Sequence, residues 1–149
     1  MKITAIAILI GLSACVAAAN AAHYPPSIPV NARLTTAMVK LTGRAEATVR
    51  CFPVDDGAEG GTWTDTAEVQ LEPPVCRALV RWTWLRSPRA VAVFAHEAAH
   101  IVRGMSEAEA NCYAAQNIYR AARLVGFGPN KAKIILSQSR RGWFNVSDC

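Results

Sequence analysis

Several large functional classes are excluded by what the chain does not contain. Its 16 Lys and Arg are dispersed, with only Arg140-Arg141 adjacent, and it has no basic arm, no RNA-binding motif and no repeat of aromatic and basic residues. No nucleic-acid partner is expected, and a net charge of +5 supports no more than a mild attraction to anionic envelope surfaces. Histidine is scarce, with three residues and no His-rich tract, which disfavours metal storage or transfer. The apolar stretch Ile3–Leu12 is ten residues, well short of the roughly 20 that span a bilayer as a helix. At 149 residues there is material for one core and not for two. Disorder is excluded as well, because charged residues make up only 18% against 52% hydrophobic, with four Trp.

Met1-Lys2 followed by the apolar stretch has the form of a secretory signal. Two cleavage positions compete. Leu12-Ser13-Ala14-Cys15 resembles a bacterial lipobox, which makes residues 1–14 the signal and Cys15 the lipidated N-terminus. Ala19-Asn20-Ala21 is an A-x-A site, with cleavage after residue 21. The lipobox is favoured because its cysteine closes the apolar run and because its removal leaves an even set: Cys51, Cys76, Cys112 and Cys149. Four cysteines in an exported chain imply two disulfides, with three pairings open. The expected location is the bacterial cell envelope, with the chain membrane-anchored as a lipoprotein, or soluble in the periplasm or outside if the second site is used. Residues 15–30, containing Pro25-Pro26 and Pro29, read as a tether, and residues 31–149 as the folded domain.

Within that domain, Leu34, Met38 and Leu41 predict a helix over Asn31–Leu41. Ala47–Phe52 and Ala67–Leu71 alternate as strands and are expected to pair antiparallel across a turn-rich loop containing Asp55, Asp56, Glu59, Gly60 and Gly61. Those acids lack the alternating oxygen ligands of an EF-hand, so no calcium site is expected. Pro73-Pro74 opens a helix whose face carries Val75, Ala78, Leu79 and Trp82, and Ser87-Pro88 opens another that stops at Gly104. Ser106 and Glu109 form a capping-box pair ahead of a further helix. Gly126–Pro129 breaks it, Asn130–Gln138 reads as a last helix, and the tail is held by Cys149. The fold class is therefore α+β, mainly helical, with a small antiparallel sheet and two disulfides.

The chemistry concentrates in His96-Glu97-Ala98-Ala99-His100, an H-E-x-x-H motif inside an apolar helix. Residues four apart lie one turn apart on one helical face, so His96 and His100 can aim two imidazole nitrogens at one point. Two histidines and a carboxylate among apolar neighbours are costly to bury without a partner, and zinc is one. Glu97 projects beside that point as a general base. On the following helix Glu107 shares the inward stripe with Asn111, Ala114, Ala115 and Ile118, whereas Glu109, Tyr113, Gln116 and Arg120 share the polar face. Glu107 is thus the expected third metal ligand, with Asn111 placed to hydrogen-bond a ligand from behind. Cys112 is a rival ligand, disfavoured if it enters a disulfide. His23 is disfavoured because it falls in the tether.

These residues resemble the zincin metallopeptidases, within them the gluzincins, in which H-E-x-x-H is followed by E-x-x-x-D or E-x-x-x-N; here the second part is Glu107-Ala108-Glu109-Ala110-Asn111. The segment is also similar to small exported bacterial proteins carrying H-E-x-x-H, a glycine and E-A-x-x-x-C-Y-A, matched by Gly104, Glu107-Ala108 and Cys112-Tyr113-Ala114. The resemblance covers Ala95 to Gln116 and departs from larger gluzincins in the six-residue gap between His100 and Glu107. It implies one zinc ion held by His96, His100 and Glu107, peptide-bond hydrolysis with Glu97 as base, and a peptide or protein substrate extended along a sheet edge, for which Ala67–Leu71 is the candidate strand. The alternative is a non-catalytic envelope lipoprotein whose metal site is structural or vestigial and whose surface binds a partner.

Overall fold

A computed structural model describes residues 28–54, 57–142 and 149. The proposed signal, the lipidation site Cys15, His23, Asp55 and Asp56 lie outside the described residues. Eight elements follow in order: α1 (Ile28–Thr42), β1 (Thr48–Cys51), β2 (Gly60–Trp63), β3 (Glu68–Leu71), α2 (Pro73–Val80), α3 (Ser87–Arg103), α4 (Glu107–Leu124) and α5 (Pro129–Gly142). Among the described residues no helix is long and apolar enough to cross a membrane.

Helix α3 is the hub, touching α1, α2, α4, α5, β2 and β3. Its composition explains how so many neighbours fit. Ala90, Ala92, Ala95 and Ala98 are buried along it, and Ala114, Ala115, Ala121 and Ala122 along α4, so the two helices meet through small side chains. Phe94, Val91 and Ile101 fill the remaining space together with Leu34, Met38, Val69 and Ile118. The ends of α3 follow local chemistry: Pro88 sits in the first turn, and Gly104 closes the helix in the left-handed region at φ 58°, its N–H donating to the His100 carbonyl. Ser106 then caps α4, accepting from the Glu109 N–H while the Glu109 carboxylate accepts from the Ser106 N–H, the expected capping box. Helix α1 begins at Ile28, three residues ahead of the expected start, with Pro29 tolerated in its first turn.

The sheet corrects three expectations. It has three strands in the order β1-β3-β2, with β3 antiparallel to β2 and parallel to β1. The two strands foreseen from alternation therefore run in the same direction. The intervening strand β2 reverses the chain once, Gly60 facing Leu71 and Trp63 facing Glu68, and β3 reverses it again. Gly60-Gly61 belongs to a strand and not to a turn, and its Val- and Ile-free sequence hid it. In consequence β3 is the central strand and offers no free edge to a substrate; the edges are β1 and β2, and β2 is the one that lies against α3.

Both disulfides are present, and they select one of the three pairings. Cys51–Cys76 ties β1 to α2, and Cys112–Cys149 ties the end of the chain to α4. Cys149 is bonded, and Cys112, being its partner, is removed as a metal ligand.

Candidate metal centre

One turn of α3 and the first turn of α4 bring together the three residues expected to bind a metal. His96, His100 and Glu107 offer ligand atoms that all lie within 4.8 Å of one another, a group that can hold a metal ion. The two Nε2 atoms are 3.2 Å apart. The Glu107 carboxylate spans them, Oε2 at 3.1 Å from His96 Nε2 and Oε1 at 3.4 Å from His100 Nε2.

The opposite edges of the two rings explain why the Nε2 atoms converge. His100 Nδ1 is 2.8 Å from the Met105 carbonyl oxygen, which can only accept, so Nδ1 carries the proton. His96 Nδ1 is 2.9 Å from Asn111 Oδ1, which fixes its proton in the same way. With Nδ1 engaged on each ring, Nε2 is the atom left to face the other ring and the Glu107 carboxylate. A cation placed among them would be shared by all three side chains. Two nitrogens bound tetrahedrally at about 2.1 Å stand about 3.4 Å apart, close to the observed separation. The residues present fit a metal ion held by two imidazoles and a carboxylate, with one side open.

Asn111 stands where the sequence puts it, one turn beyond Glu107. Glu107 does not point into the core: its side chain is 80% exposed, while those of His96 and His100 are 17% and 16% exposed. Helical spacing places Glu107 on the stripe of Ala114 and Ile118, but in the first turn of α4 that stripe has run past the core and faces the ends of the imidazoles. The exposed carboxylate leaves the site accessible from solvent. Tyr113, expected on the polar face, is half-buried, with its hydroxyl donating to the Leu41 carbonyl and its ring against the core. It is thereby turned away from the metal group.

Glu97 is the only buried carboxylate among the described residues, 7% exposed. Its Oε2 accepts from the Thr62 hydroxyl at 2.7 Å. Burial pushes its pKa above the ordinary glutamate value, while the Thr62 hydrogen bond and the neighbouring His96 and His100 pull it back. A proton acceptor with a raised affinity for protons is thus fixed beside the two histidines.

Thr62 and Gly60 are the functional positions that the sequence did not reveal. Both lie on β2. A Cβ on Gly60 would come within 2.9 Å of Glu97 Oε1 and 3.1 Å of Glu97 Cγ and Leu71 Cδ2, so any side chain here would push the Glu97 carboxylate from its place. The Gly60-Gly61-Thr62 run was the available signal, since glycine inside a strand marks a close approach. A cleft of about 250 Å³ opens at this point, lined by Gly60, Ala92, Val93, His96, Glu97 and Asn111.

No protein family, no curated protein and no solved structure matches the chain.

Proposed function

We propose that the chain is a zinc-dependent hydrolase of peptide bonds that works in the bacterial cell envelope. The observation that carries this reading is the pair of facing Nε2 atoms, each ring held from behind by an acceptor on Nδ1 and the pair bridged in front by Glu107. Two imidazoles and one carboxylate form a donor set suited to zinc, and three protein ligands with an open fourth side are the mark of a catalytic centre, structural centres being closed by four. Zinc, when bound, supplies Lewis-acid polarisation of a carbonyl and lowers the pKa of water. Glu97 takes the proton of the attacking water and delivers it to the leaving amine, and its burial suits it to both steps. Thr62 holds the Glu97 carboxylate in one orientation. Substrate backbone is received at the edge of β2, the strand that borders the cleft.

The envelope assignment is supported by two disulfides, which persist in oxidising compartments, together with the signal-like N-terminus. Lipid attachment at Cys15 belongs to the same proposal. A second reading, a partner-binding lipoprotein with a structural metal, draws on the small cleft of about 250 Å³, below the roughly 300 Å³ at which ligand pockets usually begin.

Cleavage of a fluorogenic peptide library by the wild type and by Glu97→Gln separates the two. The hydrolase reading predicts cleavage that falls about 10²- to 10⁴-fold in Glu97→Gln while zinc stays bound. Equal signals from both proteins would contradict it.

A further inference from the structure

The loop joining α2 to α3, Arg81-Trp82-Thr83-Trp84-Leu85-Arg86, has no part in the metal centre and is unlike any other exposed segment. Leu85 is 85% exposed and Trp84 57% exposed, so two large apolar side chains stand side by side in water. Phe52 and Trp63 are also exposed, but each stands alone. Isolated apolar residues are ordinary on a surface, whereas an adjacent pair at the tip of a loop calls for a reason.

The tip is not loose. Ser87 is fully buried, its hydroxyl donating to the Ala78 carbonyl at 2.9 Å and accepting from the Thr83 N–H at 2.8 Å, while the Ser87 N–H donates to the Thr83 carbonyl. Trp82 supports the tip from beneath, its ring edge-on to Trp84 at 6.1 Å and to Phe127 at 5.7 Å, with Lys131 Nζ 5.4 Å from its centroid. An apolar pair is therefore held out rigidly, its loop entropy already lost. Nothing else in the described residues covers it.

The surroundings are cationic. No Asp or Glu occurs between Pro73 and His96 or between Asn111 and Ser147, stretches that contain Arg77, Arg81, Arg86, Arg89, Lys131 and Lys133. At the base of the tip a groove of about 380 Å³ is lined in part by Leu85, Arg86 and Arg89. Glu59, paired with Arg89, also lines that groove.

We propose that this tip docks on an anionic lipid surface, Trp84 and Leu85 entering the headgroup boundary while Arg81, Arg86 and Lys131 lie against lipid phosphates. Indole suits that boundary because it is apolar in body and donates one hydrogen bond, and arginine pairs with phosphate through two donors. A folded protein partner is a poorer match, since stable interfaces cover about 800 Å² on each side and two side chains cannot supply that. The inference does not depend on the metal centre, nor on any N-terminal acyl group. About nine residues of α3 separate Ser87 from His96, which sets the cleft roughly 14 Å along the helix from the docked tip.

Quenching of tryptophan fluorescence by vesicles with brominated acyl chains tests this on the full chain, because the difference between the wild type and Trp84→Phe isolates Trp84 among the four tryptophans however the N-terminus is held. Brominated phosphatidylglycerol vesicles should quench the wild type strongly and phosphatidylcholine vesicles weakly. Most of the quenching should vanish in Trp84→Phe and persist in Trp63→Phe. Combined Arg81→Gln and Arg86→Gln should weaken partitioning about 30-fold. The proposal is overturned by equal quenching in both lipids, by no quenching in either, or by quenching that survives in Trp84→Phe. In the second case the tip would be left to an acidic protein surface.

Discussion

Helix α3 carries a polar cluster at each end, and the two are finished differently. At the N-terminal end, Ser87 is sealed from water, and its hydroxyl and N–H are satisfied by Ala78 and Thr83. At the C-terminal end, His96 and His100 each satisfy one ring nitrogen with a protein acceptor, and their other nitrogens face each other and Glu107. One cluster closes on itself and fixes a loop. The other leaves two ring nitrogens and a carboxylate facing one another, a group that can hold a metal ion. Burial and hydrogen bonding by themselves do not distinguish structure from function here; the count of groups left facing one another does.

Substitutions at the two ends should therefore separate cleanly. Asn111→Ala removes the acceptor that fixes the His96 ring, and zinc affinity should fall about 10- to 100-fold in a competition titration with a chromogenic chelator, with little change in the unfolding midpoint. A large loss of stability without a loss of affinity would erase the contrast. Ser87→Ala does the opposite: it leaves the Thr83 N–H without its acceptor in a buried place and should cost about 1–3 kcal/mol in urea unfolding, with zinc affinity unchanged. A smaller, pH-dependent effect is expected at Glu109, between the two histidines' helix and the rest of α4. Its pKa is lowered by the hydrogen bonds from the Ser106 side chain and then from the Ser106 N–H. A lowered folded-state pKa means stability that is present above the unfolded value, about 4.3, and lost as pH falls through the folded one. The difference in thermal midpoint between the wild type and Glu109→Ala should accordingly shrink as pH is brought below that range.

The helical part of the fold was legible because its signals are local. Gly104, Ser106 with Glu109, and the apolar spacing of Leu34, Met38 and Leu41 each act within a turn or two. The sheet was less so. Gly60 and Gly61 carry no strand propensity, and Gly60 lies in β2 in close approach to Glu97, a contact 37 residues away in the chain. Missing β2 also reversed the expected direction between β1 and β3 and made an edge of β3, which is the central strand. In the candidate site, the four residues on α3 and α4 that surround the proposed ion, His96, His100, Glu107 and Asn111, follow from helical periodicity. Thr62 and the Met105 carbonyl do not, since neither belongs to a periodic pattern. The inward reading of Glu107 failed for a related reason: spacing gives the face of a helix but not how far the core extends along it. Disulfide pairing was open among three choices until the elements were placed in space.

The central claim is that α3 and α4 stop one cation short of completion, and metal content measures that directly. The folded chain, produced in an oxidising compartment and dialysed against trace zinc, is analysed by mass spectrometry beside His96→Ala. The account predicts about one zinc per chain, and none in the variant. A folded wild-type chain that retains no zinc, or retains as much as His96→Ala, would contradict it.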